Sequence, residues 1–211
     1  ASCAERGRCE TSVRLHNRMS KQKKLMLLGG IHYLLPVIKA AHEQGYYVIT
    51  ADYVPDNVAH KYSDEYVNVS ITDKKAVLTA AKEREIDGII SFGVDPGVVA
   101  AAYVQEQMGL PSMGSYESVR ILQNKDLFRQ FLADNGFNTP KSQGFSSKKE
   151  ITNQKSQIIN NIGFPLIVKP TDSAGSKGVT KVERIEDLEA ATDEALGQAR
   201  GKSSRAHRPV R

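Results

Sequence analysis

Phe164-Pro165-Leu166-Ile167-Val168-Lys169-Pro170, followed by Thr171-Asp172-Ser173-Ala174-Gly175-Ser176-Lys177-Gly178-Val179, couples a lysine on an apolar run to a flexible loop suited to phosphate. Leu166, Ile167 and Val168 form an unbroken apolar stretch of the kind that lies inside a sheet. Lys169 is therefore expected to emerge at the strand's end with its stem held by packing. Gly175 and Gly178 can take the positive φ angles that aim successive backbone N–H groups at one point. Ser173 and Ser176 add hydroxyl donors, and Lys177 adds a second cation. A polyphosphate suits such a loop, although a Gly/Ser segment can also be no more than a hairpin connection and a strand-end lysine merely solvated. The order Gly, four residues, Gly-Lys-Ser/Thr is absent, which disfavours the nucleotide-triphosphatase fold built on that motif.

Upstream, strands alternate with amphipathic helices. Lys24 to Leu28 reads as a buried strand, Gly29-Gly30 as a tight turn, and Ile31 to Gln44 as a helix that Gly45 ends. Strands follow at Tyr46 to Ala51, Tyr66 to Val69 and Ile86 to Phe92. Between the last two lies a helix that Thr72 could cap, and after them one with Asp95 as N-cap and Pro96 at the first helical position. The alternation predicts βαβ crossovers and a parallel sheet, that is, an α/β fold with ligands beyond the strands' carboxyl ends. Asp52 lies about 20 residues after Gly29-Gly30, as a ribose-binding acid would, but a Gly pair is not Gly-x-Gly-x-x-Gly, and a turn-forming Asp fits equally. His32, His42 and His60 show no metal spacing and read as surface or turn residues.

A second stretch belongs with the first. Asn124-Lys125-Asp126-Leu127-Phe128-Arg129-Gln130-Phe131-Leu132, leading to Gly136-Phe137-Asn138-Thr139-Pro140, forms a helix with Leu127, Phe128, Phe131 and Leu132 on one face. A short strand to Phe145, a polar helix from Lys148 to Asn161, the Leu166 to Lys169 strand, an antiparallel partner at Val179 to Val182 and a helix from Ile185 to Leu196 complete the pattern. Together, Lys125 with its helix and Lys169 with its glycine loop resemble the ATP-grasp ligases, of the carbamoyl-phosphate synthase large-subunit type, over about Lys24 to Leu196.

That resemblance implies a Rossmann-like pre-ATP-grasp domain at 24–114 and the first part of an ATP-grasp α+β domain at 115–197. It implies ATP as substrate with Mg2+, a small carboxylate as the other substrate, and an acyl-phosphate intermediate attacked by an amine or thiol. The residues it carries over for nucleotide binding are Lys125, Lys169, Ser173, Ala174, Gly175, Ser176, Lys177 and Gly178. Catalytic residues and metal ligands are not assignable, because in the family the adenine hinge and the magnesium-holding acids follow this region. The chain is thus expected to be an amino-terminal part, inactive by itself, with an orphaned hairpin around Lys169. The alternatives are a non-catalytic nucleotide- or small-ligand-binding regulatory module and, weakened by the missing fingerprint, a nicotinamide-dependent oxidoreductase.

Charge and composition bound the remaining classes. The 211 residues carry a formal net charge of +5. Residues 1–24 hold +5 and residues 200–211 another +5, leaving 25–199 at −5. The basic excess therefore lies in terminal segments without apolar periodicity, and nucleic acid is not an expected partner. No apolar run reaches the roughly 18 residues of a membrane span, so a cytoplasmic protein without membrane contact is expected; a homodimer is compatible. Cys3 and Cys9, both in the unpatterned amino-terminal segment, argue for neither a disulfide framework nor a metal site. Residues 1–23 read as a disordered or expression-derived leader and 198–211 as a disordered basic tail.

Overall fold

The computed structural model describes residues 21–199, apart from Met113 and Ala174, and the backbone of 204–207. The expected leader and tail lie largely outside these residues. The described part nevertheless begins inside the expected leader, because Lys21 pairs with Glu85 at 2.8 Å and the Lys23 carbonyl accepts from the Tyr47 N–H.

The first half contains β1 (Lys24–Leu28), a 3-10 turn (His32–Leu34) running into α1 (Leu35–Glu43), β2 (Tyr47–Asp52), β3 (Glu65–Asn68), α2 (Lys74–Glu83), β4 (Gly88–Ile90) and α3 (Asp95–Met108). All its strand pairs are parallel, in the order β3-β2-β1-β4, as the alternation of strands and helices predicts. The apolar continuity of β1 follows from burial on both faces. Met26 and Leu28 join Ile49, Val77, Ala81 and Val104 on the side of α2 and α3, whereas Leu27 joins Leu34, Ile38 and Val48 on the side of α1.

Two capping expectations are corrected. The cap of α2 is Asp73, not Thr72: its carboxylate accepts from the N–H groups of Lys75 and Ala76 at 3.0 and 3.1 Å. Asp95 is not an N-cap but the first residue of α3, and its side chain makes no capping bond.

The second half contains α4 (Tyr116–Gln123), α5 (Lys125–Asp134), β5 (Ser142–Phe145), α6 (Lys148–Asn161), β6 (Leu166–Pro170), β7 (Thr180–Val182), a 3-10 turn (Ile185–Asp187) running into α7 (Leu188–Gln198), and β8 (Ser204–His207). Its sheet runs β5-β8-β6-β7 with every pair antiparallel. Here the expected orphaned hairpin is overturned, and the expected disordered tail is corrected at 204–207 alone. Ser204 to His207 lies between β5 and β6 and satisfies the backbone groups of both. A strand recruited by two waiting edges needs no apolar alternation of its own, so local patterning missed it. The core of this half lies on one face, where Phe145, Leu166, Val168 and Val182 meet Ile151 and Ile158 of α6 and Leu188, Ala191 and Ala195 of α7.

At the carboxyl ends of the parallel strands, Gly30 permits a close approach that a side chain would block. A Cβ placed there would stand 2.5 Å from both the Asn57 Cβ and the His60 Nε2. His60 is locked from both ring nitrogens, Nδ1 with the Thr50 hydroxyl at 2.8 Å and Nε2 with the Val54 carbonyl at 3.1 Å. Burial holds its imidazole below the usual 6.5, against the opposing pull of the Val54 carbonyl and the Asp52 carboxylate.

Two expected outcomes follow from this packing. Gly30→Ala loses about 1–3 kcal/mol through the clash, whereas Gly197→Ala, in α7 with nothing near its added methyl, gains about 0.5–1 kcal/mol of helix propensity; urea unfolding of the two variants checks both signs. The folded-state pKa of His60 is depressed, so its contribution to stability is complete above the unfolded value and is lost as pH falls below it. The urea midpoint should therefore fall as pH drops below the ordinary histidine value of about 6.5, and His60→Gln should flatten that slope. Asp64, also held low against a burial effect by the Val48 N–H and His42, acts only in the lower carboxylate range.

Candidate phosphate-binding cleft

Lys169 is placed by the two-residue period of β6. Leu166 and Val168 are fully buried against α6 and α7, while Ile167 and Lys169, on the opposite face, line a cleft of about 600 Å3. The expectation that Leu166, Ile167 and Val168 are all buried inside the sheet is therefore corrected at Ile167, whereas Lys169 stands near the strand's end as expected. Leu166 and Val168 meet α6 and α7 on one face, so Ile167 faces the cleft on the other, where Leu122, Gln123 and Lys125 also stand, and the strand continues through Lys169 to Pro170.

The loop after β6 takes the backbone geometry its glycines suggest. Gly175, Ser176 and Gly178 have φ of 67°, 57° and 68°. Ser176 occupies this left-handed region at a cost a glycine would not incur. Ser173, Gly175, Ser176 and Lys177 line the cleft. Gly178 does not; it turns the chain beneath α7, where a Cβ would stand 3.0 Å from the Gln198 Cβ and 3.1 Å from the Pro170 Cγ. Ala174 lies outside the described residues.

Lys125 reaches the same cleft from α5. Asn124 caps that helix, its side-chain oxygen accepting from the N–H groups of Asp126 and Leu127 at 2.9 and 3.1 Å. The Lys125 N–H donates to the Thr171 carbonyl at 2.8 Å, and its ammonium donates to the Ser173 carbonyl at 2.6 Å. The two stretches picked out separately in the sequence are thus tied to each other at the mouth of one cleft. A lysine at a helix amino terminus adds its charge to the positive end of the dipole, which concentrates positive potential where an anion would sit.

The cleft also contains residues that sequence reasoning passed over. Asp95, Leu122, Gln123, Asp172 and Val179 line it. Asp95 reads in sequence as a helix start within Gly93 to Gly97, a segment expected at the strands' carboxyl ends where a ligand would sit, with no role assigned to its side chain. A second cleft of about 650 Å3 shares Asp95, Gln123 and Asp172 with the first and extends to Thr72, Pro96, Val99 and Arg120. Asp52 is resolved in favour of a turn: its two carboxylate oxygens accept from the Tyr53 N–H at 2.7 Å and the Asn57 amide at 2.8 Å. Among the described residues no group of three or more His, Cys, Asp or Glu side chains could hold a metal ion, and no described helix is long and apolar enough to cross a membrane.

Comparisons with known proteins bear on the family and the fold. The family described as D-ala D-ala ligase C-terminus matches residues 131–200. The formate-dependent phosphoribosylglycinamide formyltransferase of Prochlorococcus marinus (strain MIT 9515) is 30% identical over 184 residues, covering 86% of this chain and 45% of that protein. The carbamoyl phosphate synthase large chain of Pseudothermotoga lettingae is 29% identical, covering 80% of this chain and 16% of that one. In structure, the N5-carboxyaminoimidazole synthetase of Staphylococcus aureus, complexed with ADP, superposes with a TM-score of 0.64 at 18% identity, over 89% of this chain and 48% of that one. The chain belongs to the ATP-grasp ligase superfamily. It spans slightly less than half the length of the first of these relatives.

Because the Lys125 ammonium anchors the Ser173 carbonyl, Lys125→Met should speed amide hydrogen exchange across 173–178 by roughly tenfold, the worth of one partly exposed charge-assisted bond. Exchange in β6 should be unchanged. Equal protection of the loop in both proteins would show that the anchor lies elsewhere.

Proposed function

We propose that this chain forms the phosphate-binding part of an ATP-dependent ligase that joins a carboxylate to an amine or thiol through an acyl phosphate. The observation that carries the reading is the convergence of Lys125 and Lys169, from different elements, on one cleft closed by the Ser173–Gly178 loop. In this reading residues 24–114 are a Rossmann-like pre-ATP-grasp domain, residues 115–197 open the ATP-grasp domain, and the protein works in the cytoplasm.

The chemistry assigns roles to these residues. A carboxylate oxygen attacks the γ-phosphorus of ATP and ADP leaves; the nucleophile then attacks the acyl carbon, phosphate leaves, and the nucleophile sheds its proton. Both transfers need negative charge on the β- and γ-phosphates to be met by fixed donors rather than by water. Lys169 and Lys125 act as point charges on the phosphates, Ser173, Ser176 and the backbone of Gly175 to Lys177 supply hydrogen bonds, and Lys177 adds a cation at the loop's tip. Mg2+, when bound, supplies further charge neutralisation. The described residues do not form a site for it, so no step here is routed through it. Asp95, at the junction of the two clefts, is positioned to hold the nucleophile's ammonium or receive its proton.

Isothermal titration of ATP tests the assignment. Lys169→Ala should weaken binding by about 1.5–3 kcal/mol, the value of a charge-assisted phosphate contact, and Lys125→Ala should weaken it by less. Unchanged affinity in both variants would reject the site.

A further inference from the structure

We propose that Asn135 is a self-modifying site, converted to aspartate and isoaspartate through attack by the Gly136 backbone nitrogen, at a rate gated by the carboxyl end of α5. Asn135-Gly136 is the single Asn-Gly pair among the 211 residues. A glycine after asparagine leaves the peptide nitrogen unhindered, because no Cβ stands beside it. In the reaction that nitrogen gives its proton to base and bonds to the Asn135 Cγ, while the side-chain nitrogen takes up a proton and leaves as ammonia. Water then opens the resulting five-membered imide at either carbonyl. One opening restores the ordinary backbone with an aspartate side chain. The other routes the main chain through the former side chain and adds one carbon to it. Water is the only co-reactant, and nothing is oxidised or reduced.

The end of α5 holds the reacting groups apart. Gly136, at φ 73°, follows Asn135 at φ −100° and ψ 12°. At that ψ the Gly136 nitrogen eclipses the Asn135 nitrogen about the Cα–C bond, not the Cβ, so the imide ring closes only after this bond rotates. Hydrogen bonds oppose the rotation. The Gly136 N–H donates to the Ala133 carbonyl at 3.1 Å and the Phe137 N–H to the Leu132 carbonyl at 2.9 Å, the paired bonds of a glycine-ended helix. The Asn135 side-chain amide donates to the Phe131 carbonyl at 2.8 Å, which turns the leaving nitrogen back onto the helix. Opening is nevertheless inexpensive, because Asn135, Gly136 and Phe137 are exposed and no described residue of α5 is buried. The products cannot rebuild the cap. Aspartate replaces the amide donor by a carboxylate at the negative end of the helix, beside Asp134. Isoaspartate lengthens the backbone between the partners of the Phe137 to Leu132 bond. The helix that presents Lys125 at its start therefore ages irreversibly from its other end.

Incubation of the full chain at mildly alkaline pH, followed by tryptic peptide mapping, tests this against a synthetic peptide of residues Gln130 to Lys141, which is too short to hold a stable helix. Aspartate and isoaspartate are expected at position 135 in both, about ten- to a hundredfold more slowly in the folded chain, the effect of first breaking two hydrogen bonds. Ala133→Gly weakens the exposed last turn of α5 and leaves Asn135-Gly136 untouched. It should speed conversion in the chain roughly three- to fivefold and leave the peptide's rate unchanged. Gly136→Ala, which puts a side chain beside the attacking nitrogen, should slow the peptide itself. Circular dichroism verifies that Ala133→Gly folds, and the ratio of chain to peptide stands as a test without it. Conversion as fast in the chain as in the peptide, or a chain rate indifferent to Ala133→Gly, overturns the gating. An Asn135 left intact in the chain after about a hundred peptide half-lives, or a peptide indifferent to Gly136→Ala, overturns the site itself.

Discussion

The alternation of β6 is the constraint on which the candidate site depends. A strand with one face buried in an apolar core must send every second side chain the other way. Leu166 and Val168 are held by α6 and α7, and that burial fixes where Ile167 and Lys169 project. The burial of its neighbours sets the side on which the lysine leaves the strand. Fully burying two such side chains is worth about 1.5–3 kcal/mol each, enough to fix the register of the strand. A one-residue slip would put the ammonium into the apolar core, where burying an unpaired charge is far more costly.

The second constraint couples this strand to α5. The Asn124 cap starts that helix at Lys125, whose backbone and side chain then bond to Thr171 and Ser173. Two elements more than 40 residues apart in sequence thereby share one loop. A loop tied at its base by Lys125 and free of large apolar anchors at its tip combines a fixed pair of charges with a segment that can close over a ligand.

Much of this was legible in the sequence. The parallel order of the first sheet followed from strands alternating with helices, and the Lys169 loop and the Lys125 helix were each marked by residue type and spacing. Less legible was whatever depends on partners distant in the chain. Ser204 to His207 has no strand signature and pairs because β5 and β6 offer open edges. Asp95 reads as a helix start until α4 and the Asp172 loop form a wall opposite it. The Asp52 turn and the locked His60 depend on the close passage allowed at Gly30.

The central claim is that Lys125, Lys169 and the 173–178 loop form a single polyphosphate site. Backbone amide NMR of the labelled chain, titrated with a non-hydrolysable ATP analogue, tests it most directly. The account predicts saturable shifts with one common dissociation constant at Lys125, Lys169 and Ser173 to Gly178. Shifts confined to Gly29–Tyr33 and Ser91–Val94, with the Lys125 and loop amides unmoved, would place the nucleotide on the parallel sheet instead and contradict it.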